Sequence, residues 1–164
     1  MAEVAKSNLF STTGLPNLKG ASVVVIRTEW NDEIVSALEE GCREVFDQTG
    51  VPYRIVTVPG AFEIPFAVRA YWDAHKYKDD RPRAFIALGC VLRGDTPHFE
   101  YVCRAVTDGV LQLNMTLPLP TIFGVLTVDN QQQAEERIGG KHGHKGKEAA
   151  ITALKMISLQ KTFQ

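Results

Sequence analysis

Four short apolar runs, each rich in residues that favour β-strands, alternate along this chain with segments of helical periodicity. The runs cover residues 22–27, 53–58, 84–92 and 121–128. The helical segments cover residues 31–49, 61–75, 98–114, 129–137 and 148–161. Because strands separated by helices pair in parallel, this alternation predicts a three-layer α/β/α sandwich around a four-stranded parallel sheet.

The composition is that of an ordinary globular protein. Of the 164 residues, 45% are hydrophobic and 23% are charged, which excludes a disordered chain. The net charge of −1 offers no positive surface to nucleic acid, and no apolar run reaches the roughly 18 residues that a membrane span needs. No signal-peptide core is present, so we expect a cytoplasmic protein, with residues 1–20 as an N-terminal arm and residues 21–164 as one domain.

The cysteines, Cys42, Cys90 and Cys103, indicate neither a disulfide framework nor a zinc site. Their number is odd, and no CxxC spacing occurs. All of them stand in apolar surroundings, which is typical of small buried side chains.

The turn after the third strand carries the clearest chemistry, at the edge of a parallel sheet where ligands usually bind. Gly94 lets a ligand approach the backbone, and Asp95 and Thr96 place free amide N–H groups at the start of a helix, where phosphate binds readily. His98 lies in the first turn of that helix, whose dipole favours a neutral imidazole able to transfer protons. The alternative is structural: Thr96 only caps the helix and His98 is a surface residue.

Three further side chains each allow a functional and a structural interpretation. Trp30, directly after the first strand, either stacks on a planar heterocycle or packs on its own helix. Glu63, in the turn after the second strand, either holds a polar ligand edge or is an acidic residue in a helix's first turn. Arg137, just before a pair of glycines, either binds phosphate through two N–H groups of its guanidinium or is a solvated helix residue.

A basic cluster stands in the glycine-rich segment 139–147, which we predict to form a turn. It contains Lys141, His142, His144 and Lys145. An HxH pair without a nearby cysteine or carboxylate is a weak indication of a metal ion. No metal is therefore predicted.

Four motifs stand in the order VPGAFEIP, GCVLRGDTPHFEYVC, TIFGVLT and QAEERIGGKHGHKG. With them the chain closely resembles the 6,7-dimethyl-8-ribityllumazine synthase family, whose members catalyse the penultimate step of riboflavin biosynthesis. The resemblance begins at about Ser22 and leaves the arm before Gly20 outside it. The predicted sandwich would then be flavodoxin-like.

The resemblance implies a transferase that condenses 5-amino-6-(D-ribitylamino)uracil with 3,4-dihydroxy-2-butanone 4-phosphate through an imine. Phosphate is eliminated, the ring closes with loss of water, and no metal or redox cofactor takes part. The implied aminopyrimidine site comprises Trp30, Ala61, Phe62, Glu63, Cys90, Val91, Leu92 and Phe123. The implied phosphate site comprises Asp95, Thr96, Arg137 and Lys145, with His98 transferring protons. Since Asp95 places a carboxylate where the family often has a small residue, we assign that contact to backbone N–H groups.

The resemblance also implies an oligomer, because Phe123 and Arg137 match positions that a neighbouring subunit contributes. Family members form homopentamers, some of which assemble into sixty-subunit icosahedral shells. The linker 139–146 lacks the insertion associated with members that stop at pentamers, which favours a shell, although the proline-containing arm could interfere. Riboflavin synthase is a candidate partner of such a shell.

Two other functions remain open. One is a cysteine-dependent amidase or hydrolase using Cys90 and His98, although Cys90 lies two residues before the end of its strand and no orienting acid has an obvious spacing. The other is a flavodoxin-like binding or assembly protein that holds a flavin or lumazine in the same pocket. Kinetics would distinguish this binding protein from the synthase.

Overall fold

The structure is a computed structural model that describes residues 11–15 and 18–164. Its strands are β1 (Val23–Thr28), β2 (Tyr53–Val58), β3 (Ala84–Leu92), β4 (Thr121–Val128), β5 (Ile138–Gly140) and β6 (Gly143–His144). Its helices are α1 (Asp32–Thr49), α2 (Ile64–His75), α3 (His98–Thr116), α4 (Gln131–Glu135) and α5 (Lys145–Lys161), and a single 3-10 turn (Ala61–Glu63) precedes α2. Within these residues, no helix is long and apolar enough to cross a membrane.

The four longer strands form one parallel sheet in the order β2-β1-β3-β4. Helices α1 and α5 cover one face of this sheet, and α2 and α3 cover the other. The predicted three-layer, flavodoxin-like sandwich is therefore confirmed. Each crossover through a helix returns the chain in the same direction, which is why the strand ends share one edge.

Two hydrophobic cores fill the spaces between the sheet and its helices. On one face, Val23 and Val25 of β1 pack in the same cluster as Leu38 of α1. On the other face, Val24 and Ile26 pack in the cluster formed with α2 and α3. Successive strand residues point to opposite faces, and both faces are covered, so the central strand β3 is apolar throughout rather than alternating.

The predicted arm is described only in part. Residues 1–10 and 16–17 lie outside the described residues. Leu15 and Leu18 are half-buried and pack against the core between the sheet and α1 and α5. The boundary between an arm and a domain at residue 20 stays a prediction.

Helices α1 and α5 approach each other closely at two glycines. A Cβ atom on Gly146 would lie 2.0 Å from the carbonyl oxygen of Leu38, and one on Gly41 would lie 2.2 Å from Cε1 of His144. Between them, the Cys42 thiol donates a hydrogen bond to the carbonyl oxygen of Gly146 at 3.1 Å. Burial raises the pKa of Cys42 to about 12, so the thiol keeps the proton that it donates.

The glycine-rich segment differs from the predicted simple turn. Within it, β5 and β6 form a two-stranded antiparallel sheet. Gly139 and Gly143 allow this hairpin because they adopt left-handed φ angles of 117° and 79°. Helix α5 begins at Lys145 rather than at Glu148, since the imidazole of His144 accepts a hydrogen bond from a backbone N–H of the first helical turn.

Replacing Gly146 by alanine should destabilise the fold. The added methyl group would meet the Leu38 backbone, which cannot rotate away as a side chain would, so α1 and α5 must move apart. We expect the free energy of unfolding to fall by about 1–3 kcal/mol, measured by urea denaturation at a fixed protein concentration. Gly94→Ala is the matched control because its Cβ atom would meet nothing within 4 Å. Equal losses in both variants would contradict the close packing described above.

Candidate functional site

A cleft of about 470 Å³ opens at the carboxyl edge of the sheet. It lies where β1, β2 and β3 end and where α2 and α3 begin. The lining residues are Thr28, Trp30, Asn31, Gly60, Ala61, Phe62, Glu63, Cys90, Val91, Leu92, His98 and Val102. Eight of the residues singled out from the sequence thus share one cleft, and their individual roles stay predictions.

The turn after β1 presents Trp30 to the cleft. Its indole is 73% exposed, which argues against packing on its own helix and leaves a ring face for a planar ligand. Asn31 follows in a left-handed conformation, with φ at 58°. Asn31 is the N-cap residue of α1, but its side chain makes no cap hydrogen bond to that helix. Instead, Nδ2 of Asn31 donates to the carbonyl oxygen of Cys90 at 2.7 Å and thereby joins the ends of β1 and β3.

The turn after β2 adjoins the turn that carries Trp30 and lines the cleft beside it. The N–H group of Glu63 donates to the carbonyl oxygen of Gly60 at 3.2 Å, which closes the 3-10 turn. A Cβ atom on Gly60 would lie 3.0 Å from Oε2 of Glu63 and 3.5 Å from Cδ1 of Trp30. The absent side chain therefore leaves room for a carboxylate and an aromatic ring to stand on the same side of the cleft. Phe62 is 63% exposed at the rim, whereas Ala61 is buried.

The turn after β3 leads from Leu92 to His98, the first residue of α3, and both of these line the cleft. Asp95 and Thr96 are exposed on the turn itself and lie outside the cleft lining. The Thr96 hydroxyl oxygen accepts a hydrogen bond from the backbone N–H of His98 at 3.4 Å, so Thr96 does contact the helix start. With 19 residues, α3 directs the positive end of a full helix dipole at this turn.

A second, more open cavity of about 750 Å³ lies along the free edge of β4 and the side of α5. It is lined by three of the predicted site residues, Phe123, Arg137 and Lys145. Nη1 of Arg137 donates to the carbonyl oxygen of Gln133 at 2.7 Å. Nζ of Lys145 donates to both carboxylate oxygens of Glu148, at 2.9 and 2.8 Å. Within one chain, the residues of the predicted site are divided between two surfaces.

Potential metal ligands do not cluster in the part of the chain that the structure describes. Across residues 11–15 and 18–164, no group of three or more histidine, cysteine, aspartate and glutamate side chains is placed to hold a metal ion. The polar groups of the cleft instead comprise one carboxylate, one imidazole and two amide or hydroxyl side chains. This donor set suits hydrogen bonding to a polar organic molecule.

A sequence model of the family described as 6,7-dimethyl-8-ribityllumazine synthase matches residues 20–161, which is most of the chain. The chain belongs to this family. The resemblance first indicated by four sequence motifs is therefore confirmed.

Curated relatives agree with this lumazine synthase assignment. A protein of Cytophaga hutchinsonii named 6,7-dimethyl-8-ribityllumazine synthase is 46% identical over 158 residues, covering 94% of this chain and 96% of the relative. Relatives of the same name from Parabacteroides distasonis and Bdellovibrio bacteriovorus are 41% and 45% identical. These two alignments cover 91% and 84% of this chain, and 92% and 74% of the respective relatives.

In this lumazine synthase family member, four cleft residues were not singled out as site residues from the sequence. Thr28 and Asn31 flank Trp30 after β1, and Gly60 stands in the turn after β2, so their position at strand ends could have indicated them. Val102 follows His98 by four residues and lies on the same face of α3, which is a spacing visible in the sequence.

The cleft disfavours a nucleophilic thiol at Cys90. Its side chain is only 5% exposed, and burial raises its pKa to about 11. Reactive thiols have a lowered pKa, because the thiolate is the nucleophile. The contact between Cys90 and Asn31 uses the carbonyl oxygen rather than the sulfur. The cleft therefore argues against a cysteine-dependent amidase or hydrolase, which would require a reactive thiolate at Cys90.

Alkylation of Cys90 by iodoacetamide should be slow at neutral pH and should accelerate about tenfold for each pH unit up to about pH 10. The raised pKa keeps the thiolate a minor species throughout that interval. Peptide mass spectrometry would follow Cys90 separately from Cys103, with Cys90→Ala as the control for peptide assignment. A rate that levels off near pH 8 would contradict the raised pKa.

Proposed function

We propose that this chain condenses 5-amino-6-(D-ribitylamino)uracil with 3,4-dihydroxy-2-butanone 4-phosphate to give 6,7-dimethyl-8-ribityllumazine, phosphate and water. The observation that carries the proposal is that an exposed tryptophan, a glutamate and a helix-start histidine line one cleft in a member of this family. A tryptophan can stack on a planar amine, a glutamate can accept its hydrogen bonds, and a histidine can transfer the protons of its condensation with a phosphorylated ketone. We further propose that the enzyme acts in the cytoplasm.

The aminopyrimidine ring binds against Trp30. Stacking on an exposed indole contributes about 0.5–1.5 kcal/mol beyond the burial of area. The end of β3, from Cys90 to Leu92, contacts the ring edge, while Ala61, Phe62 and Glu63 contact the ribityl chain and its surroundings. The Glu63 carboxylate suits this task because it can accept hydrogen bonds from amino or hydroxyl groups.

The phosphate binds at the turn before α3. The backbone N–H groups of Asp95 and Thr96 lie at the start of a 19-residue helix, where free N–H groups and the helix dipole both favour an anion. The exposed Asp95 carboxylate can turn toward solvent, which avoids like-charge repulsion with the phosphate.

His98 transfers protons between the reacting atoms. The primary amine attacks the ketone carbonyl, and the resulting carbinolamine loses water to form an imine. Loss of the proton on the hydroxyl-bearing carbon then expels phosphate and leaves an enol, which takes up a proton on its terminal carbon and becomes a ketone. The ribitylamino nitrogen attacks this ketone, and a second water leaves as the ring closes. An imidazole can accept each proton at one ring nitrogen and return it. Holding both substrates in one cleft supplies much of the remaining acceleration.

Phe123, Arg137 and Lys145 complete this site from a neighbouring copy. They lie on a second surface along the free edge of β4, so they can reach a cleft only across a subunit boundary. A ring in which each edge meets the next cleft would close with cyclic symmetry. We propose a homopentamer, its assembly into a sixty-subunit icosahedral shell, and riboflavin synthase as a partner.

Lumazine formation is the first test. Purified protein mixed with both substrates should produce lumazine absorbance at a saturable rate above the uncatalysed background, with phosphate released in step. His98→Asn should lower kcat about a hundredfold and change KM little, because the variant keeps the shape but not the proton transfer. Tight lumazine binding without any acceleration would identify a binding protein instead and contradict the proposal.

Mixed oligomers test whether two copies share each site. His98→Ala and Arg137→Ala should each be impaired, the latter mainly through a higher KM for the phosphorylated substrate. Co-expression of both variants should restore about a quarter of the sites, since half of the clefts keep His98 and half of their neighbours keep Arg137. Lys141→Ala is the control, because this exposed lysine pairs with Glu136 outside both cavities. Unrestored activity in the co-expressed protein would overturn the shared site.

A further inference from the structure

Arg93, directly after β3, joins three structural elements. Its Nε lies 2.6 Å from Oδ1 of Asp129, and its Nη1 lies 2.6 Å from Oε1 of Glu100. Its guanidinium carbon stands 4.1 Å from the centre of the Phe99 ring. Its backbone N–H donates to the carbonyl oxygen of Val128 at 2.9 Å. The end of β4, the first turn of α3 and the end of β3 therefore meet at one side chain.

The proposed phosphate turn, residues 94–97, lies in the chain between Arg93 and its two partners in α3, Phe99 and Glu100. Its own hydrogen bonds are short-range: Thr96 accepts from the N–H of His98, and Pro97 accepts from the N–H of Glu100. Both partners lie in the first turn of α3 rather than in the sheet. Arg93 thus provides the side-chain connection between this helix start and the strand ends beside it.

We propose that Arg93 is a positioning residue that holds the phosphate turn and His98 in place and keeps the Glu100 and Asp129 carboxylates away from a bound phosphate. This inference rests on the proposed function. Two carboxylates beside the turn would repel a phosphate dianion unless a cation occupied them. The two carboxylates also raise the pKa of the Arg93 guanidinium, so it stays charged.

The chemistry of the contact requires arginine. A guanidinium is planar and carries several N–H donors in a fork, so it can meet two carboxylates and stack on an aromatic ring at once. A lysine ammonium is a point charge on a flexible stem and cannot hold all three partners in one geometry. Of the three partners, Glu100 and Phe99 lie in α3, whereas Asp129 follows β4. The ion pair between Arg93 and Asp129 therefore connects the start of α3 to the end of β4.

A purely structural role predicts something different. The Arg93 side chain is 42% exposed, and exposed ion pairs contribute little to stability. Arg69 is a matched control: it is an exposed arginine paired with Asp73 on α2, and it lies outside the cleft. If Arg93 only added surface stability, Arg93→Gln and Arg69→Gln should behave alike.

Two measurements separate the roles. Relative to Arg69→Gln, Arg93→Gln should raise the KM for the phosphorylated substrate about ten- to a hundredfold, with the KM for the pyrimidine and the thermal midpoint nearly unchanged. Amide hydrogen exchange of residues 94–96 and 98 should be faster in Arg93→Gln than in Arg69→Gln. Because exchange needs no turnover, this readout tests the positioning even if lumazine formation is never observed. Equal exchange and equal KM in the two variants would overturn the proposal.

The double variant Glu100→Gln with Asp129→Asn distinguishes positioning from direct phosphate binding. If Arg93 positions the turn through these carboxylates, removing both should speed amide exchange of residues 94–96 and 98 relative to Arg69→Gln, an effect that the loss of two repelling charges does not produce. If Arg93 is itself a phosphate ligand, exchange of the turn in the double variant should equal that in Arg69→Gln, which would overturn the proposal. The double variant also retains Arg93, so it provides a test should Arg93→Gln fail to fold.

Discussion

The parallel pairing of β3 with β1 on one side and β4 on the other is the constraint on which the rest of the structure depends. β3 is covered on both faces, and its side chains from Ala84 to Leu88 are fully buried. Parallel neighbours require a crossover helix each time, and every crossover delivers the next turn to the same edge of the sheet. The turns that carry Trp30, Glu63 and His98 meet there as a consequence of topology.

This topology explains why the proposed chemistry needs few charged groups within the cleft. Glu63 is the cleft's one carboxylate, while much of the attraction for phosphate would come from backbone N–H groups and a helix dipole. Arg93 directly precedes this turn and forms ion pairs with the carboxylates of Glu100 and Asp129. Backbone groups are already oriented by the fold, so they lose little entropy when a substrate binds.

The second surface depends on a different contact, the close approach of α1 and α5. Gly146 brings the first turn of α5 against the Leu38 backbone. The N–H group of Lys145 donates to the carbonyl oxygen of Arg137 at 2.8 Å, which connects the two basic residues through the β5-β6 hairpin. Arg137 and Lys145 are thus placed by backbone contacts, the hydrogen bond across the hairpin and the close packing at Gly146.

The sequence by itself determined the layers of this protein and the family to which it belongs, because hydrophobic periodicity, strand–helix alternation and four motifs are local patterns. Those patterns placed Trp30 and His98 just after strand ends at one edge of the sheet, and both side chains line the cleft. Only the tertiary structure decided that the Asn31 amide bonds Cys90 instead of capping α1, and that Arg137 lies on a separate surface from His98. These outcomes depend on distances between residues far apart in the chain. Local periodicity carries no information about such distances, since they are set by how the layers pack.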